Sequence, residues 1–258
     1  MKKIKIFSKL WKNGKLTCVS RISDLLSNGF NADTLKQEFV RVNLEVWDDI
    51  TENQYIWTPE IMQSQFVICP DLLFCGFIDG KMVACSVCIR TTEEELSQRK
   101  TWLETTNFGY LNTHKPSGSV LFGVDLSATQ ESSQKLADKL VLATIFQVVI
   151  GEGLKALCLV ARIPAFHKHT PYMSVEDYVY GKRKSGKPLD PELYFYMKNG
   201  FEIVDIIPGY MEDHESLNYG VLIRWKNPFY WVTKVMPFLK PLIRFVGRKL
   251  FLRLPELK

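Results

Sequence analysis

The feature that most limits the fold is a strand–helix–strand run in the middle of the chain. Val120-Leu121-Phe122-Gly123-Val124-Asp125-Leu126 is rich in β-formers. A polar stretch follows from Ser127, then an apolar helix over 133–150 stopped by Gly151 and Gly153, then a second strand over 155–163. Two strands joined by a crossover helix lie parallel in one sheet. The neighbouring strands come as antiparallel partners. Runs at 72–78 and 82–90 flank Asp79-Gly80, the strongest short hairpin signal, and further strands are expected at 201–207 and 219–225. One parallel unit among antiparallel ones predicts an α/β chain: a mixed, mostly antiparallel sheet with helices on both faces.

Asp33 can cap a helix from Thr34 to Trp47 whose Leu35, Phe39, Val42 and Val46 share one face. Thr58-Pro59-Glu60 opens another, ended by Pro70, and Pro191 to Lys198 is a short helix stopped by Gly200. Residues 91–118 are polar and irregular, and 164–189 form an insertion carrying Phe166, Tyr172, Tyr178 and Tyr180. A length of 258 residues at 46% hydrophobic content supports one large domain, expected at 20–226, between a basic segment at 1–19 and a basic tail at 227–258.

Charge is concentrated at the ends. The whole chain carries +5, yet 1–15 and 227–258 each carry +6, so the body is acidic by seven charges. An acidic body argues against nucleic acid as a partner, whereas basic ends suit an anionic lipid surface or simple solvation. The apolar run after Lys2, Lys3 and Lys5 is broken by Lys9 and Lys12, so no signal peptide is expected, and no run of about 18 apolar residues predicts a spanning helix. The expected compartment is cytoplasmic, with reduced cysteines. Cys85 and Cys88 have metal-type spacing, but on a strand they point to opposite faces, and His167 and His169 lack a third ligand nearby. No metal is expected.

A polar loop between a strand and a helix N-terminus is an anion site, because first-turn N–H groups and the helix dipole both favour phosphate. Here the stretch is Ser132-Ser133-Gln134-Lys135-Leu136-Ala137-Asp138. Serine hydroxyls and the Lys135 charge can meet phosphate. The absence of glycine limits how closely backbone can approach a pyrophosphate.

Tyr196-Met197-Lys198-Asn199-Gly200-Phe201, closing the last helix in this element order, resembles the GNAT N-acetyltransferase superfamily over residues 20–226. Arg162-Ile163-Pro164, Asp190-Pro191-Glu192-Leu193, Pro208-Gly209-Tyr210 and Asp213-His214-Glu215-Ser216 are similar to a branch with a long insertion after the fifth strand, including domains fused to nitrilase-like amidohydrolases. The resemblance implies an acyltransferase that passes acetyl from acetyl-CoA to a small-molecule or peptide amine by direct attack in a ternary complex. It implies that Val124, Asp125 and Leu126 pair their backbone with pantetheine, that Ser132 to Asp138 hold the pyrophosphate, and that Tyr196 is the general acid for the leaving thiolate. Many members carry a glutamate base in the fourth strand; Val120 stands there in this sequence. Asp125 and His114 are the titratable groups left as base candidates, beside a water chain. Asp190 and Asp213 read as caps of a helix and a turn.

In the tail, Leu239, Leu242, Ile243, Val246, Leu250 and Leu254 form a helical stripe with Lys240, Arg244 and Arg248 opposite, behind Phe229, Tyr230, Trp231 and Phe238. Such an amphipathic basic helix fits a membrane surface, the body of the domain, or a homodimer contact. Pro237 and Pro241 preclude one long helix from 228. Two other functions stay open: a longer-chain acyltransferase using acyl-CoA or acyl carrier protein at a membrane, and a non-catalytic GNAT-like binding module.

Overall fold

A computed structural model describes residues 6–12, 15–50, 53–132 and 134–243. Among them, eight strands form one sheet: β1 (Ile6–Lys12), β2 (Lys15–Arg21), β3 (Leu73–Ile78), β4 (Lys81–Thr91), β5 (Val120–Ala128), β6 (Ala156–Ala161), β7 (Glu202–Ile207) and β8 (Gly220–Lys226). Their spatial order is β1-β2-β3-β4-β5-β6-β8-β7. Only β5 and β6 run parallel; every other pair is antiparallel. The mixed sheet expected from the strand–helix–strand run is the one observed. Asp79 and Gly80 both take positive φ at the β3–β4 turn, the primed geometry that matches strand twist.

The helices are α1 (Ile22–Ser27), α2 (Ala32–Trp47), α3 (Pro59–Ile68), α4 (Glu93–Ser97), α5 (Trp102–Thr106), α6 (Gln134–Thr144), α7 (Val175–Tyr180), α8 (Pro191–Lys198) and α9 (Tyr230–Val235). A π-helical turn, Ile145–Ile150, extends α6. Register places α2 and α6 on opposite faces. Gly76, Ala84 and Ala128 align across β3, β4 and β5, and the Leu136 side chain lies 3.0 Å from where a Cβ on Gly76 would stand. Asp125 and Ser127 point the other way and both accept or share hydrogen bonds with the Trp47 indole of α2. The buried core between these layers includes Phe39, Trp57, Met62, Phe74, Phe122 and Leu136.

Several local expectations changed. Asn31, not Asp33, caps α2: its side chain accepts the Thr34 N–H at 2.9 Å, while Asp33 sits in the first turn and pairs with Lys36 at 2.7 Å. Both residue types can cap, and a carboxylate gains from the dipole in either place. The irregular stretch 91–118 contains α4 and α5, the latter opened by a full capping box between Thr101 and Glu104. The basic N-terminal segment supplies β1 and β2, and β2 pairs with β3, so these residues belong to the sheet. Lysines among β-formers are the composition of a protected edge strand.

In the tail, α9 ends at Val235 and a 3-10 turn, Pro237–Leu239, follows, as the two prolines require. Val246, Leu250, Leu254, Arg244 and Arg248 of the expected stripe lie outside the described residues. No helix among the described residues is long and apolar enough to cross a membrane.

Candidate active site

The site begins where β5 and β6 part. They pair only from Val120↔Ala156 to Gly123↔Leu159. Beyond that point β5 follows β4 as far as Ala128, and β6 follows β8 as far as Ala161. Gly123 allows the junction, because a Cβ there would stand 3.1 Å from Leu159 Cβ. A β-bulge falls at the same place: Val87 faces Asp125 and Cys88 faces Gly123, leaving Val124 as the extra residue. The Val124 carbonyl accepts the Trp102 indole N–H at 3.1 Å, which fixes the bulge from the side of α5.

The wedge opens into a cleft of about 430 Å³. Val124, Asp125, Leu126 and Ala137 line it on the β5–α6 side, with Val160, Ala161 and Arg162 on the β6 side. The first turn of α8 and the turn after it supply Glu192 and Tyr196, four residues apart and therefore on one helix face. Tyr55, Trp57, Trp102, Tyr210 and Met211 close the far wall. That wall is held by backbone bonds. The Trp57 N–H donates to the buried Asn43 side chain at 2.8 Å, the Trp102 N–H donates to the Tyr210 carbonyl at 2.8 Å, and the Tyr55 hydroxyl accepts the Glu212 N–H at 3.0 Å.

Three ionisable groups meet in this cleft. Burial pushes the Asp125 carboxyl up to about 7, against hydrogen bonds from Ser127 and Trp47. Its oxygens are engaged: Oδ1 accepts the Trp47 indole at 3.0 Å, and Ser127 Oγ lies 2.8 Å from Oδ2. Burial pushes the Glu192 carboxyl up to about 7 as well, with Arg162 pulling it down and Asp190, Asp213 and Glu215 adding to the rise. The Glu192 side chain lines the cleft and is 37% exposed, so its carboxylate is reachable from solvent. Its nearest cation is Arg162, at 3.7 Å. Tyr196 is buried, and its phenol is raised well above the usual tyrosine value by burial, then by Glu192 and Asp125.

Arg162 organises the β6 side. It makes a bidentate pair with the buried Asp213, at 2.7 and 2.9 Å, and a further contact with Glu215 at 2.8 Å. Its guanidinium carbon lies 5.5 Å from the Trp47 ring centroid, above the indole that holds Asp125. Asp213 also accepts from the Ser216 hydroxyl at 2.6 Å, and Asp190 caps α8 by accepting the Glu192 and Leu193 N–H groups at 2.8 and 3.2 Å. Both aspartates hold turns and helix starts, as their sequence contexts indicated.

The cleft thus brings together Tyr196, Asp125, Val124, Leu126 and Ala137, and leaves His114 outside. The His114 Nδ1 accepts the Arg90 backbone N–H at 3.0 Å, in the segment leading into the opposite end of β5. Burial, then the Arg90 charge, lowers its pKa, so the ring is held neutral for a structural bond. In the loop, Ser132 donates its N–H to the Thr129 carbonyl at 2.8 Å, making a tight turn into α6. Gln134 starts the helix, Lys135 is exposed, and Leu136 turns into the core. Asp138 meets Lys198 at 3.2 Å and Asn199 at 2.9 Å, which ties α6 to the end of α8. Ser133 lies outside the described residues. Glu192 is the cleft residue that sequence reading passed over. Its place four residues before Tyr196 was the available signal.

Among the described residues, no three or more His, Cys, Asp or Glu side chains are grouped to hold a metal ion. The His167 Nδ1 lies 2.9 Å from the Pro164 carbonyl and 3.0 Å from that of Glu215, and the His169 ring packs on Tyr178.

No family model matches the sequence. The chain is 29% identical over 177 residues to the uncharacterized N-acetyltransferase YkwB of Bacillus subtilis strain 168, covering 69% of this chain and 78% of that protein. It is 26% identical over 175 residues to the probable hydrolase YhcX of the same organism; that match covers 67% of this chain and 34% of YhcX, so the chain spans about a third of that relative. The loading GNATL domain of CurA from Lyngbya majuscula superposes with a TM-score of 0.65 at 21% identity, over 83% of this chain and 98% of that domain. The GNAT-like decarboxylase GphF, solved with isobutyryl-CoA, gives 0.64 at 19% identity, over 75% and 95%. The fold is the GNAT fold. Together with the acetyltransferase relative, it supports the GNAT superfamily and acyl transfer as the general chemistry.

Proposed function

We propose that this protein is an acyl-CoA-dependent N-acyltransferase that transfers an acetyl group to a small-molecule or peptide amine by direct attack in a ternary complex. The observation that carries this reading is the parting of β5 from β6 in front of α6, with Tyr196, Glu192 and Asp125 on one cleft. The backbone of Val124, Asp125 and Leu126 has no β6 partner and suits an extended pantetheine arm. The pyrophosphate is assigned to Ser132, Ser133, Gln134, Lys135, Leu136, Ala137 and Asp138, through backbone N–H groups and the Lys135 charge. The thioester supplies an activated acyl group. Tyr196 donates a proton to the departing sulfur, and Glu192 takes the proton of the attacking amine. Asp125, with both oxygens engaged, is the second carboxylate and holds Trp47 and Ser127 beside the bulge. The insertion between β6 and α8, and the partial match to YhcX, favour the branch with a long insertion that also occurs fused to nitrilase-like enzymes.

One observation favours a larger acyl group. The cleft is walled by Val46, Ile50, Trp57, Trp102 and Met211, and the loop lacks glycine. A branched or longer donor, on CoA or a carrier protein, is therefore the second reading. Thermal-shift titration with CoA, acetyl-CoA and a ladder of longer acyl-CoAs separates the two. A donor at about 100 times its dissociation constant adds roughly 2.7 kcal/mol of stability. A shift with acetyl-CoA supports the first reading, and a shift growing with chain length supports the second. No shift and no thioester turnover would leave a non-catalytic binding module.

The base assignment has its own test. Activity as kcat/KM is expected to rise with pH through about 7 as Glu192 loses its proton. Glu192→Gln should remove that limb and lower the rate by ~10²–10⁴-fold, whereas Asp125→Asn should keep it. The reverse pattern would move the base to Asp125.

A further inference from the structure

After β8 the chain leaves the sheet through Asn227, whose side chain donates to the Leu154 carbonyl at 2.8 Å and accepts the Phe229 N–H at 2.9 Å. One side of the following segment lies against the body. Thr233 is buried beside Gly153, and the Lys240 amine donates to the Glu152 carbonyl at 3.3 Å. The other side is apolar and open. Trp231, Val235, Phe238 and Leu242 are 69, 73, 75 and 57% exposed, within twelve residues of chain. Four large apolar side chains exposed within so short a stretch mark a contact surface.

We propose that this face, α9 and the 3-10 turn after it, rests on an anionic lipid surface. Charge chooses the occupant. Residues 227–258 hold seven Lys and Arg against one Glu, while residues 16–226 carry a net negative charge that an anionic surface would repel. The chemistry of the outward side chains agrees. The Lys234 amine lies 5.2 Å from the Trp231 ring centroid and 5.8 Å from that of Tyr230. An aromatic ring with a long cationic arm over it is the arrangement that settles at a headgroup boundary, ring in the acyl border and charge in the headgroups. A 3-10 turn opened by Pro237 carries Phe238 out from the end of α9, so the insertion is shallow and spans nothing. This inference is independent of the chemistry proposed for the cleft.

The test is co-sedimentation of the full chain with phosphatidylcholine vesicles, with and without ~30 mol% phosphatidylglycerol. Binding is expected on the anionic vesicles, to fall steeply at about 0.5 M salt, and to be much weaker on neutral ones. The double variant Val235→Glu/Phe238→Glu changes two exposed side chains, so its thermal midpoint should match that of the parent. Its partition onto anionic vesicles should drop about tenfold or more. As a second reading on the parent protein, lipids brominated in the acyl chains should quench part of its tryptophan fluorescence, and Trp231→Phe should lose that part. Three results would overturn the proposal: no binding to either vesicle; equal binding by the parent and the double variant, which makes the contact one of terminal charge alone; or a lipid-free dimer abolished by the double variant, which makes a second copy the occupant.

Discussion

Tyr196→Phe is expected to lower kcat by ~10²–10⁴-fold and to leave the fold nearly untouched. The ring packs edge-on against Phe195 and Phe201, at 5.0 and 5.5 Å between centroids, and phenylalanine keeps both contacts. Among the described residues the hydroxyl makes no hydrogen bond, so its loss leaves no buried partner unsatisfied, and the stability change should stay within ~0.5 kcal/mol. Burial beside Glu192 and Asp125 keeps the phenol protonated at any working pH, which is the form a general acid needs. A proton given only as the thiolate departs is a transition-state interaction. Both kcat and kcat/KM should therefore fall, with the donor's dissociation constant unchanged. Steady-state kinetics with each donor, alongside the thermal midpoint, decides it. A phenylalanine variant with parental turnover would reduce Tyr196 to a core aromatic.

Arg162→Met should destabilise the protein by about 3–5 kcal/mol at neutral pH. The substitution strips the bidentate partner from Asp213, whose side chain is 1% exposed, and removes the cation facing Glu215 and Glu192. Burial alone would raise the Asp213 pKa; hydrogen bonds from Arg162 and Ser216 outweigh it and hold the carboxyl below its ordinary value. A depressed carboxylate stabilises the fold above its unfolded-state pKa and loses that contribution as pH falls through the folded one. The penalty of the substitution should accordingly be large at pH 7 and smaller at pH 3, where Asp213 without its partner is already protonated and carries no buried charge. Chemical denaturation at both pH values measures this. A penalty independent of pH would mean that packing, not the ion pair, holds this corner. The same variant removes the one charge that pulls the Glu192 pKa down, so any surviving pH–rate profile should move to higher pH.

How much of this was legible in the residues varies with the range of the interaction. Asp79-Gly80, Thr58-Pro59 and Asp190-Pro191 announce a turn and two helix starts through local chemistry, and each stands where the residues put it. Thr101 with Glu104 carried the same kind of local, readable signal for α5. The strand–helix–strand run fixed the parallel pair. It could not show the bulge at Val124 or the Trp102 indole that holds it, because those depend on register across chain segments 22 residues apart. The cleft divides in the same way. Tyr196 was visible through its motif, while the pairing of Arg162 with Asp213, 51 residues away, was not. His114 has the right chemistry for a base, and only its neighbour, the Arg90 N–H, shows that its nitrogen is already in use.

The position of β8 between β6 and β7 has a consequence for how the protein is made. A ribosome delivers β6 and β7 before Gly220–Lys226, yet until that strand emerges β7 has no neighbour in the sheet and β6 has only β5. During synthesis β6 therefore presents a free edge of unmatched N–H and C=O groups, on the strand that forms one wall of the cleft. Such an edge recruits stray strands. A chain halted before Lys226 would be missing the wedge that sets β7 apart from β6. The C-terminal half of the sheet is thus assembled by insertion rather than by addition.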